Sequence, residues 1–297
     1  MNSLPSSFLP RTLSTIFLWL TIIAAYIMRS EIAFAFLIAL PALGALWEYF
    51  ALLKAGGIGH HRGLGITAAL VLIGLNFWVL HSSQPLDFQN IFIFVYEASF
   101  FALLMIVLFL REFGRNSPGR PTAEAITFTL FGVVYIPWLF LFMAKLLYLT
   151  PRDVAGYTTG QYLVLFVVAV TKFTDVGAFL CGSLFGRTPF FPNISPKKTW
   201  EGIAGALVLA ILVGLGVFHF FGTHLPPFSL GLICALSLLF GITGIAGDLA
   251  ESLLKRSLHT KDSGHALPGI GGGLDLIDSL LFTLPLFYFL LLFLFHP

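Results

Sequence analysis

The chain has 297 residues, of which 58% are hydrophobic, 15% aromatic and only 10% charged, where a soluble globular domain carries about 25% charged residues. Its formal net charge is only +2, and its basic residues are scattered without aromatic interleaving, which excludes a nucleic-acid partner. The apolar runs are continuous and not alternating, so a β-barrel is excluded too, and the composition implies an all-α, polytopic transmembrane helical bundle.

Taken in chain order, apolar stretches predict about nine spans, near 12–28, 32–53, 64–81, 89–110, 123–149, 162–185, 201–221, 228–249 and 273–295. Each is close to the roughly 20 residues that cross a hydrocarbon core of about 30 Å. Arg11 precedes the first run with no small-residue cleavage site after it, so this run is expected to stay as a helix. Residues 1–150 form an N-terminal part of about five spans, and residues 151–297 a C-terminal part that holds the polar motifs. Cys181 and Cys234 lie far apart in apolar runs and are expected to be small core residues.

With nine spans, twelve of the sixteen Lys and Arg residues fall on the side of the N-terminus. The other side holds Arg29, Lys145 and Arg152, and Lys172 lies within the sixth span. The excess of positive charge places the N-terminus and the even-numbered connections in the cytoplasm.

Ionisable residues at membrane depth mark candidate chemistry. The sixth span carries Lys172 and Asp175 three apart on one helical face, while Glu48 and Glu97 are lone acids with a structural or interfacial role expected. The next connection offers Ser195, Lys197, Lys198 and Thr199 ahead of a helix, a setting in which lysines and free N–H groups bind anions such as phosphate. Asp248, Glu251, Ser252 and Lys255 stand at i, i+3, i+4 and i+7 and share one helix face. A Gly/Pro-rich turn then leads to Asp275 and Asp278. Two carboxylates there suit a hard divalent cation that also takes phosphate oxygens, although Asp275 equally suits an N-cap.

These motifs resemble those of the membrane-bound phosphatidate cytidylyltransferases, the CDP-diacylglycerol synthases. The family signature S-x-x-K-R-x4-K-D-x-G-x2-L-P-G-H-G-G-x2-D-R-x-D is matched by Ser252, Lys255, Arg256, Lys261, Asp262, Gly264, Leu267, Pro268, Gly269, Gly271, Gly272, Asp275 and Asp278. Asp248 and Glu251 resemble its G-D-x-x-E-S lead-in, and Asp175 to Gly177 and Ser195 to Thr199 its D-x-G and S-P-x-K-T segments. Ile270 and Leu276 depart from the pattern, standing where the family usually has His and Arg.

The resemblance implies a nucleotidyltransferase that moves CMP from CTP to phosphatidate in phospholipid biosynthesis. Asp248, Lys255, Asp275 and Asp278 are then the catalytic candidates. Asp248, Asp275 and Asp278, with Asp175 a weaker candidate, would bind Mg²⁺, a second cation being left open. Ser195, Lys197, Lys198, Ser252, Arg256, Lys261, Gly271 and Gly272 would bind phosphates. CTP, phosphatidate and membrane lipid are the implied partners, with a homodimer in the cytoplasmic membrane and the site facing the cytoplasm. A CTP-dependent lipid kinase and a secondary transporter are the competing readings, the latter disfavoured because the charged motifs gather at one face and no internal repeat is evident.

Overall fold

A computed structural model describes residues 20–21, 23–28, 30–82, 86–113, 119–150, 159–258, 260 and 272–295. The elements are α1 (Glu31–Ala55), α2 (Arg62–Ser82), α3 (Leu86–Glu112), α4 (Arg120–Val133), a π-helical turn (Val134–Trp138), α5 (Phe142–Tyr148) and α6 (Gln161–Phe185). After them come strands β1 (Pro189–Phe191) and β2 (Ser195–Thr199), then α7 (Trp200–Phe221), a 3₁₀ turn (Gly222–His224), α8 (Leu230–Ser257) and α9 (Gly273–Phe295).

Eight helical segments among the described residues are long and apolar enough to cross a membrane, and they coincide with the second to ninth expected spans. The first, 12–28, lies mostly outside the described residues. The fifth is composite, running from Arg120 to Tyr148 through a π turn at Pro137, a residue with no N–H to give to a helical ladder. The protein is thus a multi-pass helical membrane protein. The chain forms two compact units, Met1–Lys145 with Leu258–Ile277, and Leu146–Ser257 with Asp278–Pro297.

In the first unit, the apolar faces of α1, α2 and α4 pack through glycines and aromatic rings. A Cβ added at Gly132 would run into the Tyr49 ring and one at Gly65 into the Phe50 ring, while Tyr49 Oη donates to the Phe128 carbonyl at 3.0 Å. This unit also buries an ion pair. The Lys145 ammonium lies 2.8 Å from Glu97 Oε1 and 2.9 Å from Glu97 Oε2, with the two side chains 0% and 4% exposed. Trp138 Nε1 donates to Glu97 Oε2 at 3.0 Å, Asn76 Nδ2 to Oε1 at 3.3 Å, and the ammonium sits 3.9 Å from the Phe142 ring centroid.

This pair corrects two expectations. Glu97 is not a lone acid, and Lys145 is not a charge of an outer connection, because lipid offers neither group a counter-ion and each supplies the other's. Glu48 is also engaged: Oε2 accepts the Leu274 N–H at 3.0 Å, one of the donors that the start of α9 leaves without an intrahelical partner.

The second unit is held by small residues. The buried positions of α7 are Gly202, Ala206, Ala210 and Gly214, a stripe of period four that lets backbones approach where lipid provides no hydrophobic drive for helix association. On α6 the matching position is Gly177, whose Cβ would stand 2.8 Å from the Gly205 carbonyl. Along α8 the buried face runs Ser237, Gly241, Gly244, Gly247 and Glu251. The connection after α6, which carries the anion-binding candidates Ser195, Lys197, Lys198 and Thr199, folds into an antiparallel ribbon pairing Pro189 with Thr199 and Phe191 with Ser195.

Breaking a buried ion pair on one side leaves an uncompensated charge and costs about 3–5 kcal/mol. Lys145→Met is therefore expected to lower the thermal unfolding temperature in detergent sharply, and Lys145→Met with Glu97→Gln to recover much of the loss. Equal melting of the single and double variants would show that the pair has no coupling energy.

Candidate functional site

Four elements of the second unit bring titratable groups together. Thr199 ends β2 by capping α7, its Oγ1 accepting the Gly202 N–H at 3.1 Å. Glu201 accepts the N–H groups of Arg187 at 3.1 Å and Thr188 at 3.3 Å, which fixes the entry to the ribbon. Because residues alternate sides along a strand, the ribbon turns Lys198 to an ion pair with Asp248 on α8 and leaves Lys197 exposed. Arg256 Nε reaches the Ile194 carbonyl at 3.4 Å, tying the last turn of α8 to the ribbon. Ser195 sits in the ribbon's ladder opposite Phe191, and Ser252 is half-buried on α8.

At the centre, Asp248, Glu251 and Asp278 each turn one carboxylate oxygen to a common point, all within 4.8 Å of one another. Glu251 and Asp278 are 1% and 6% exposed. Lysines surround the trio. Lys255 Nζ lies 2.6 Å from Glu251 Oε2. Lys172 donates to Ser279 Oγ at 2.9 Å and stands 3.7 Å from Asp175 Oδ2 and 4.0 Å from Asp278 Oδ1. Asp278 Oδ1 also accepts the Ser279 N–H at 2.5 Å.

The donor set fits a hard divalent cation. All three ligand atoms are carboxylate oxygens, and Mg²⁺–oxygen distances of about 2.0–2.1 Å put opposite ligands roughly 4 Å apart, within the spread seen. Like charges held this close repel unless a cation compensates them.

Gly247 makes the convergence possible. A Cβ there would lie 2.6 Å from the Asp278 carbonyl oxygen and 3.0 Å from Ser279 Cα, so only glycine lets α8 approach the turn of α9 that carries the buried acid. At Gly244, one turn back, a Cβ would stand 3.1 Å from Thr171 Cγ2.

Of the residues expected from sequence, Asp248, Asp278, Lys198, Lys255 and, through Lys172, Asp175 come together. Asp275 is not in the trio: it lies in the first turn of α9, where Oδ2 accepts the Gly272 N–H at 2.9 Å. Lys261 and Gly271 lie outside the described residues. The expected set did not include Glu251, the third carboxylate of the trio, or Lys172, which stands beside Asp175 and Asp278. Glu251 was visible as i+3 from Asp248 on the same face, and Lys172 as i−3 from Asp175. Nothing in the sequence pointed to Ser279 as the acceptor for Lys172.

The family model described as the cytidylyltransferase family matches residues 10–294. The chain is 32% identical to a phosphatidate cytidylyltransferase of Staphylococcus haemolyticus over 95% of its own length and 98% of that protein's. It is 34% identical to a phosphatidate cytidylyltransferase of Mycobacterium bovis over 62% of this chain and 60% of that one. With the uncharacterized protein YnbB of Escherichia coli it shares 37% identity over 54% of this chain and 49% of that protein. The match thus spans about half to three-fifths of the length of the latter two relatives.

Gly247→Ala is expected to lower thermal stability by about 1–3 kcal/mol through overpacking and to weaken the stabilisation expected from added Mg²⁺. Gly231→Ala, where a Cβ meets nothing within 4 Å, should change neither. Melting curves of both variants with and without Mg²⁺ check this, and a Gly247→Ala protein with the wild-type Mg²⁺ response would show that α8 can give way there.

Proposed function

The chain belongs to the cytidylyltransferase family, and we propose that it is a phosphatidate cytidylyltransferase, the activity for which its Staphylococcus haemolyticus and Mycobacterium bovis relatives are named. In this reaction a phosphate oxygen of phosphatidate forms a bond to the α-phosphorus of CTP. The bond from that phosphorus to the β-phosphate oxygen breaks, and CDP-diacylglycerol and pyrophosphate result. The observation that carries the reading is the trio Asp248, Glu251 and Asp278 interleaved with Lys172, Lys198 and Lys255.

A phosphomonoester with a second pKa of about 6 is largely dianionic at neutral pH, so the nucleophile needs no general base. The obstacle is repulsion between two anions, which positioned positive charge relieves. Asp248, Glu251 and Asp278 would hold a divalent cation, Mg²⁺ in this reading, with Asp175 and, through the resemblance, Asp275 as further candidate ligands. When bound, such an ion supplies charge neutralisation and alignment of the phosphates. The ammonium groups of Lys198 and Lys255, now against Asp248 and Glu251, would turn to phosphate oxygens. Lys172, within 4.0 Å of both Asp175 and Asp278, would offset their mutual repulsion, and it anchors to Ser279. Arg256, Lys197, Ser195, Ser252 and the Lys261 to Gly272 segment are the further phosphate-binding candidates. The same reading makes the protein a homodimer of the cytoplasmic membrane, with the cluster open to the cytoplasm from which CTP arrives.

The test uses the full chain in nanodiscs with CTP, phosphatidate and Mg²⁺, following pyrophosphate and the CDP-lipid together. Equal yields of both, abolished by a chelator, are expected. CDP and a phosphorylated lipid in their place would identify a CTP-dependent kinase and overturn the proposal. Asp278→Asn and Glu251→Gln should each lower turnover at least about 100-fold, the equivalent of roughly 3 kcal/mol of transition-state stabilisation. Full activity in either variant would remove that residue from the site.

A further inference from the structure

We propose that a cavity in the first unit, at the start of α2 and the end of α3, is a phosphate-binding site that takes the phosphate of an anionic lipid headgroup. Its residues are not those of the Asp248 cluster, and the inference does not depend on the proposed reaction. The cavity has a volume of about 510 Å³, and His60, His61, Arg62, Gly63, Thr67 and Arg111 line it. No carboxylate is among the lining residues.

Each basic side chain is held in place by its neighbours. Arg111 Nε donates to His61 Nδ1 at 3.1 Å, so His61 carries its proton on Nε2 and gives it to Glu112 Oε1 at 2.6 Å. The His61 N–H is in turn fixed by Thr129 Oγ1 at 2.8 Å. This relay uses Glu112 on the imidazole and orients Arg111, whose Nη groups are not part of it. His60 lies flat on Phe50, with ring centroids 5.5 Å apart and planes at 14°. Its Nδ1 donates to the Ile58 carbonyl at 2.8 Å, so this ring forms a wall of the cavity and the arginines supply the donors to a phosphate.

Arg62 is the decisive residue. Its guanidinium stacks over Trp47 at 3.1 Å from the ring centroid, and its Nε and Nη2 are buried with no hydrogen-bond partner among the described residues. Buried guanidinium donors without an acceptor are costly. A phosphate seated in the cavity supplies both the countercharge and the acceptor oxygens, for which a guanidinium is well shaped. The N-terminus of α2, 21 residues long, adds its free N–H groups and dipole.

The surroundings favour a lipid as the source. Leu70 and Val71 on α2, Phe109 and Leu110 on α3, and Trp47 on α1 are all exposed, as expected of lipid-facing surface, and the cavity opens at the ends of α2 and α3, where headgroups lie. Arg62 and Arg111 lie close to the two helix ends in the manner of interfacial anchors.

Gly63 offers a test that leaves packing alone. It is exposed, a Cβ there meets nothing within 4 Å, and an acidic residue in the first turn favours a helix. The full chain in detergent, without CTP or divalent cation, is exposed to equal amounts of phosphatidate and phosphatidylcholine, and bound lipid is counted by native mass spectrometry. Wild type is expected to retain phosphatidate in preference. Gly63→Asp, and Arg62→Gln with Arg111→Gln, should each weaken that retention about tenfold, while Gly63→Asn and the exposed Lys54→Gln leave it unchanged. Retention unaltered in Gly63→Asp and in the double variant, or lowered equally in all four proteins, would overturn the proposal. Competition by millimolar inorganic phosphate distinguishes the sources: displacement means that free phosphate also occupies the site, and persistence of the adduct means that a lipid headgroup is required. Because no turnover is involved, failure of the proposed reaction would leave these readings intact.

Discussion

A charged side chain inside a membrane-spanning helix has no water to solvate it, and the rest of this structure follows from how each such group is compensated. Glu97 and Lys145 solve the problem by closing on each other, with Trp138 and Asn76 taking the remaining lone pairs. That pair is electrically complete and enclosed, which is the signature of a structural contact. The cluster of the second unit is different, because Asp248, Glu251 and Asp278 are gathered more tightly than their own charges favour. A lysine stands against each of them: Lys172 beside Asp278, Lys198 beside Asp248 and Lys255 beside Glu251. An arrangement that keeps carboxylates together and ammonium groups close beside them is suited to exchanging those partners for a metal ion and phosphates.

Glycine is what permits it. Helices in lipid gain little from hydrophobic burial against one another, so association relies on close backbone contact. The buried stripe of α7, with only Gly202, Ala206, Ala210 and Gly214, is one expression of this. The run from Ser237 to Gly247 on α8 is another, and it ends one turn before Glu251. The packing device and the chemical face therefore occupy the same side of one helix, so a change that loosens the packing at Gly247 reaches the carboxylates directly.

Helical class, the number and approximate limits of the described spans, and the acids of α8 and α9 were legible in the sequence. Apolar length reports on the solvent, and a spacing of three or four reports on a helix face, both local properties of the chain. For the same reason Glu251 could have been chosen with Asp248, since they stand on one face. The ribbon over residues 189–199 was not legible, because its strands are only three and five residues long and their pairing depends on the turn between them.

Partnership is what only the tertiary structure decided. Lys145 looked like a topology charge until its partner Glu97, 48 positions earlier, was seen beside it. Lys198 and Asp248 come from different elements of the second unit, as do Lys172 and Ser279, 107 positions apart. Asp275 and Asp278 share a motif, yet one accepts the Gly272 N–H and the other joins the trio. The sequence by itself determined which charges the membrane must compensate and on which helix faces they lie. The folded chain decided which charge meets which, because that depends on how closely helices distant in sequence approach, and here single glycines set the distance.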